Sequence, residues 1–212
     1  MQLIGLLDSP YVRRVAVSLQ LLALPFEHRP ISVFRGYEAF RAVNPVVKAP
    51  TLVCDDGTVL MDSTLILDYA EALAAPARSL MPREPEARKT ALRTIGLALA
   101  ACEKSVQIYY ELELRPPERR HEPWLERIRT QQAAAFAELE RDVDAESIAR
   151  KGTIDQAWIA SAIAWHFAQS MLPQTLEGAS FPRLRELSAA AERLPAFMNA
   201  PHGEGTLRAT AR

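Results

Sequence analysis

The chain has 212 residues, 49% of them hydrophobic and 24% charged, with a formal net charge of −1 at pH 7. That is enough apolar material for one large core or two small ones, and so small a charge provides no global field for nucleic acid or an anionic membrane. No stretch approaches the apolar length of a membrane span, and the opening MQLIGLLDSP lacks the basic-then-apolar order of a signal peptide, so a cytoplasmic chain is expected.

In chain order, Gln2 to Leu7 is a short apolar run that predicts a buried strand. Asp8-Ser9-Pro10 ends it, and apolar residues then recur at helical spacing from Val12 to Ala23. Ser9 suits the N-cap of that helix and Pro10 its first turn. Leu24-Pro25 stops it, and Phe26 to Val33 predicts a second extended segment, with Arg29-Pro30 favouring extension. Strand, helix and returning strand make a βαβ unit, which demands a parallel pair and a right-handed crossover. A short helix from Gly36 to Val43 ends at Asn44-Pro45. Two strands, Thr51 to Cys54 and Thr58 to Met61, then flank Asp55-Asp56-Gly57, a hairpin signal. Asp62-Ser63 caps a helix running through Leu65, Ile66, Tyr69 and Leu73. The first third is therefore α/β, in the order βαβ–ββα.

Pro76, Pro82 and Pro85 mark a linker over 76–85. Beyond it the pattern is helical, with helices expected over 86–114, 123–145, 154–171 and 181–194. Thr153 and Gln156 stand in capping-box spacing. The helix behind them carries Trp158, Ile159, Ala162, Ile163, Trp165 and Phe167, apolar nearly all round, which predicts the buried centre of the domain. The tail after Pro201, with two glycines and small polar residues, predicts a mobile end. The expected organisation is an α/β domain over 1–75 and an all-helical domain over 86–212. Cys54 and Cys102 form no C-x-x-C pair, and His28, His121, His166 and His202 share no ligand spacing, so reduced thiols and no metal are expected.

Four segments carry a resemblance: Ser9-Pro10-Tyr11-Val12-Arg13, Asn44-Pro45-Val46-Val47-Lys48-Ala49-Pro50-Thr51-Leu52, Met61-Asp62-Ser63-Thr64-Leu65-Ile66 and Thr153-Ile154-Asp155-Gln156. In this order, across a βαβ–ββα domain and a helical bundle, they resemble the cytosolic glutathione transferase superfamily, in its bacterial type with serine at the active-site position. The first domain of that family is a thioredoxin-like fold.

The resemblance implies a site for glutathione as co-substrate. It implies that the Ala49–Pro50 bond is cis, leaving the Ala49 backbone to pair with the cysteinyl part as a short added strand. On the residues alone, Pro50 serves equally well as the first residue of a strand. The γ-glutamyl carboxylate would sit on the Ser63 hydroxyl and N–H at a helix N-terminus, and Asp62 would pair with the neighbouring ammonium; plain capping is compatible with both roles. Lys48 would lie near the glycine carboxylate, with a solvated surface lysine as the alternative. Val47 stands where many relatives have glycine.

Ser9 would be the catalytic residue. A cysteine-type thiol has a pKa near ~8.5, and lowering it by about two units corresponds to about 2.7 kcal/mol. A hydroxyl donor and the positive end of a helix can supply that jointly. Tyr11 is the second hydroxyl candidate, and Tyr11, Phe34, Tyr109 and Tyr110 are the candidates for an electrophile pocket. The adjacent Tyr109 and Tyr110 cannot share one face of a helix.

The expected activity is glutathione conjugation to a small hydrophobic electrophile, or peroxide reduction, by a homodimer without metal, nucleic acid or membrane partners. A non-catalytic interaction module on the same fold is the alternative. A thiol reductase is disfavoured, because a serine at position 9 cannot form a mixed disulfide.

Overall fold

Leu3, Ile4 and Leu52 are fully buried and set the middle of a four-stranded sheet. The structure, a computed structural model, describes residues 1–143, 154–176 and 181–208. Strands β1 (Gln2–Ile4), β2 (Glu27–Arg29), β3 (Thr51–Val53) and β4 (Val59–Met61) lie in the order β2-β1-β3-β4. β1 and β2 run parallel, with Leu3 opposite His28. β3 is antiparallel to β1, with Leu52 opposite Leu3, and β4 is antiparallel to β3. This is the mixed sheet that βαβ–ββα order requires.

The strands are shorter than the apolar runs that announce them, and Gly5 shows why for the first. Its φ is +137°, and a Cβ there would lie 2.6 Å from Val12 Cγ2 and 3.2 Å from Ala49 Cβ. Only glycine lets the chain leave β1 at this angle with the Val12 side chain and the 44–51 loop both so close.

Three helices accompany the sheet: α1 (Pro10–Leu21), α2 (Tyr37–Val43) and α3 (Ser63–Leu73). Val12, Val15, Ala16 and Leu19 give α1 a fully buried stripe, and the helix packs on β1 and α3. Cys54 N–H to Thr58 O and Gly57 N–H to Cys54 O close the β3–β4 hairpin, with Gly57 at φ +85°.

The chain divides into two compact units, one of Met1–Met81 with Glu192–Arg212, the other Pro82–Ala191. The second consists of α4 (Pro85–Glu113), α5 (Glu122–Asp142), α6 (Gln156–Met171) and α7 (Pro182–Ala191). α4 packs on α5 and α6, and α7 packs on α6 and α5. Ile108, Leu125, Ile128 and Leu172 form one apolar cluster. Phe136 and Trp165 meet edge to face at 5.3 Å, with the Phe181 ring 5.5 Å from Trp165. Trp165 is buried as expected, whereas Trp158 is only half-buried. α6 is capped by Asp155, which accepts from Trp158 N–H at 3.0 Å. The expected cap, Thr153, lies outside the described residues, as does the expected continuation of α5 past residue 143.

The helix expected over 181–194 ends at Ala191. Pro195 opens a separate short helix, α8 (Pro195–Asn199), within the first unit. A sequence boundary that carries the helical domain to 212 therefore differs from the structure at Glu192. Arg13 supplies the reason. Its side chain is 1% exposed, forks onto both oxygens of Glu192 at 2.7 and 2.6 Å, donates Nε–H to Ala200 O at 2.7 Å and lies over the Phe197 ring. A buried guanidinium needs such partners, and the C-terminal segment carries all of them. The tail expected to be mobile is tied down as far as Arg208: Leu207 N–H donates to His28 Nδ1, Arg208 N–H to Asn199 O, and Glu204 pairs with Arg35.

Candidate functional site

Ser9 sits where β1 hands the chain to α1. It is the N-cap, and its Oγ accepts from Val12 N–H at 3.4 Å, a long bond. The side chain is half-buried and the hydroxyl hydrogen is not used by that bond. Next to it, burial pushes the Asp8 carboxyl up; the Ser9 backbone N–H opposes this, and Glu204 reinforces it.

The 44–51 loop is organised by Asn44, which is 1% exposed. Its Nδ2 donates to Thr51 Oγ1 at 2.8 Å, its Oδ1 accepts from Val46 N–H at 3.0 Å, and Thr51 Oγ1 donates to Lys48 O at 2.7 Å. This closed set of bonds holds Val47 at φ +52°, a left-handed conformation that β-branched residues avoid. Valine here adopts a backbone conformation that glycine takes without cost. The Ala49–Pro50 peptide is cis.

At the start of α3, Asp62 is the N-cap and accepts from Thr64 N–H at 2.9 Å. Its backbone is at φ +73° and ψ +126°, outside the ordinary regions for a residue with a Cβ. Lys48 Nζ lies 3.8 Å from Asp62 Oδ2, with both side chains about half exposed. Ser63 is the first helical residue, and its Oγ accepts from Arg14 Nη1 at 3.2 Å. The same Nη1 lies 3.3 Å from Thr64 Oγ1. Gly5, Val12 and Ala49 meet at one point, Lys48 meets Asp62, and Arg14 joins α1 to the start of α3. The structure thus links four of the expected positions, Lys48, Ala49, Asp62 and Ser63, to the helix that Ser9 caps.

Of the expected pocket residues, Tyr11 and Phe34 belong to the first unit and Tyr109 and Tyr110 to the second. Tyr11 is half-buried in the first turn of α1, and Phe34 stands exposed on the turn before α2, with its N–H on Ser32 Oγ. In the second unit Tyr109 packs against the Ile108 cluster while Tyr110 is exposed, their rings tilted at 6.3 Å, so the pair does split between two faces of α4. Among the described residues no group of three or more His, Cys, Asp or Glu side chains could hold a metal ion, and no helix is long and apolar enough to cross a membrane.

Sequence reasoning passed over Arg14, His28 and the Asp8–Arg35–Glu204 cluster. Arg14 left a signal: the α1 segment PYVRRVAVSLQL carries no charge except Arg13 and Arg14, and both prove buried. The tail partners of His28 and Arg35 left none, because a contact across most of the chain has no local periodicity.

Residues 3–78 match the family model for the glutathione S-transferase N-terminal domain. A glutathione transferase family member from Pseudomonas fluorescens Pf-5, whose crystal structure holds bound glutathione, superposes with a TM-score of 0.79 at 31% identity, over 93% of this chain and 96% of that one. The GST-like protein YibF of Escherichia coli (strain K12) is 35% identical over 89 residues, which spans 40% of this chain but only 42% of that relative. A zeta class glutathione S-transferase of Euphorbia esula is 25% identical over 195 residues, 88% of this chain and 83% of its own length.

Proposed function

The chain belongs to the glutathione S-transferase family, and on that premise we propose that it is a glutathione-dependent transferase whose first unit grips the tripeptide and whose Ser9 supports its thiolate. The observation that carries this reading is Asp62, a residue with a side chain held at φ +73° directly before the Ser63 hydroxyl at a helix start. Backbone strain of this kind persists where surrounding structure over-determines it, and it gathers at ligand clamps. Here it sets a carboxylate and a hydroxyl side by side, the complement of an amino-acid headgroup.

In this reading Asp62 takes the γ-glutamyl ammonium, Ser63 and the first turn of α3 take the adjacent carboxylate, the Ala49 backbone pairs with the cysteinyl part, and Lys48 serves the glycine carboxylate. Ser9 Oγ accepts a long bond from Val12 N–H, which leaves its own hydrogen to be donated to the sulfur, and the N-terminus of α1 adds its dipole. The sulfur then bonds to an electrophilic carbon and the leaving group departs with the bonding pair. Tyr11, Phe34, Tyr109 and Tyr110 remain the candidates for contact with that electrophile.

A glutathione titration by calorimetry, followed by a panel of electrophiles and hydroperoxides, tests the reading. Asp62→Asn keeps a capping side chain but removes the charge, and roughly thirtyfold weaker glutathione binding is expected. Unchanged affinity would remove the ammonium contact. Ser9→Ala is expected to move the pH–rate profile upward, and an unmoved profile would dismiss Ser9 as thiolate support. A wild-type chain that binds no glutathione would favour the non-catalytic module, while turnover of hydroxyethyl disulfide would favour a thiol reductase.

We further propose a cytoplasmic homodimer. On α3, Leu65, Tyr69 and Leu73 recur on one face and are exposed, an apolar stripe that a second copy would cover. Light scattering is expected to give twice the monomer mass, and Leu65→Glu to shift the chain toward monomer; a monomeric wild type removes the proposal.

A further inference from the structure

Resting on the glutathione reading above, the geometry points to His28 as a positioning residue through which the C-terminal tail holds the turn that presents Ser9 against the Ala49 backbone. His28 is 8% exposed on β2, away from every contact which that reading assigns to glutathione. Its Nε2 lies 2.8 Å from Gly5 O, and its Nδ1 accepts from Leu207 N–H at 3.3 Å. A carbonyl only accepts and an amide N–H only donates, so the neutral ring with its hydrogen on Nε2 satisfies both at once. The χ2 torsion of an imidazole is broad, and bonds at both nitrogens select one orientation of the ring.

Gly5 needs such a hold. Its φ is +137° and its N–H is fixed on Arg29 O at 3.1 Å, but glycine leaves the peptide that follows free to turn. The His28 bond falls on the oxygen of that peptide. From there the chain runs through Leu6, whose carbonyl accepts from Ser9 N–H at 3.2 Å, into the N-cap of α1. A Cβ at Gly5 would lie 3.2 Å from Ala49 Cβ and 2.6 Å from Val12 Cγ2, so Gly5 backs onto both. Turning its peptide therefore shifts the Ser9 hydroxyl relative to Ala49, the sulfur donor relative to the segment that pairs with the cysteinyl part.

The far side of the ring is anchored independently. Glu204 pairs with Arg35, and Arg208 N–H donates to Asn199 O at 2.8 Å. These two ties flank Leu207 and present its N–H to the imidazole. The tail thus bears on the site through the ring, and its effect vanishes once the ring is gone.

The test uses the full chain with glutathione as the probe, titrated by calorimetry, while ultraviolet absorbance reports how much of the bound thiol is thiolate at neutral pH. His28→Leu removes both bonds and is expected to bind about tenfold more weakly, with a smaller thiolate fraction. His28→Gln, whose amide can donate to Gly5 O, should recover most of that loss. Leu207→Pro deletes the tail N–H and should weaken binding about threefold, whereas Leu207→Ala, which keeps the N–H, should bind more tightly than the proline variant. In the His28→Leu background, Leu207→Pro should cost nothing further. Wild-type affinity and thiolate fraction in His28→Leu, equal losses in the two Leu207 variants, or a full additional loss in the double variant each overturn the role of His28 and leave the glutathione reading intact. A wild-type chain that binds no glutathione overturns both. If His28→Leu does not fold, His28→Gln and the Leu207 pair decide: proline must lose affinity and thiolate relative to alanine, and any other pattern counts against the assignment.

Discussion

In the first unit a guanidinium buried to 1% exposure ties helix α1 to a segment almost two hundred residues away in sequence, through Glu192, the Phe197 ring and the Ala200 carbonyl. In the second unit the corresponding closure is apolar: Phe136, Trp165 and Phe181 interlock, and the Ile108 cluster takes up half-buried Tyr109. The contrast teaches where polar detail is needed. A region that must hold unusual backbone at Val47 and Asp62 uses directional bonds, because only they select one conformation over its neighbours. A helical stack needs volume and periodicity, and many sequences supply those.

The largest expected effect tests the apolar side of that contrast. Phe136→Ala removes a fully buried ring and should destabilise the chain by about 4 kcal/mol in urea unfolding, while the segment after Glu192 stays protected from protease. Glu192→Ala should cost about 3 kcal/mol, because it strands a buried guanidinium, and here the C-terminal segment should become cleavable first. If Phe136→Ala instead releases that segment, or Glu192→Ala leaves it protected, the two closures are not distinct.

A smaller effect concerns His28, which is buried, places Nε2 2.8 Å from Gly5 O and accepts at Nδ1 from Leu207 N–H. Both bonds suit the neutral ring, with Nε2–H donating. Desolvation is the largest influence and lowers the imidazole below its ordinary 6.5, with the Gly5 carbonyl opposing. The folded state thus resists the proton that the unfolded chain accepts. The contribution is complete above pH 6.5 and is lost as pH falls through the lowered folded value. The protection factor of the Leu207 amide against exchange should fall between pH 7.5 and pH 5.5 in the wild type, and His28→Gln should flatten that dependence. A wild-type tail indifferent to pH would mean that His28 does not hold it.

Much of the local structure around the candidate site is legible in the sequence. Ser9-Pro10, Asp62-Ser63 and Asp55-Asp56-Gly57 announce caps and a turn because capping and hairpin closure are satisfied by neighbours a few residues apart. The Asn44 network is local in the same sense, spanning eight residues from Asn44 to Thr51. The pocket tyrosines were not legible, since Tyr109 and Tyr110 have equal claims on the sequence and packing alone sends one inward.

What the sequence by itself determined is the order of elements, the two kinds of architecture and the helix starts, all set by periodicity and by bonds between near neighbours. What only the tertiary structure decided is the return of the chain from Glu192 to the first unit, the end of α7 at Ala191, and the partners of Arg13, Arg14 and His28. The physical reason is range. A buried charge must be satisfied, yet nothing in its own stretch of chain states which distant carboxylate, hydroxyl or carbonyl will do it.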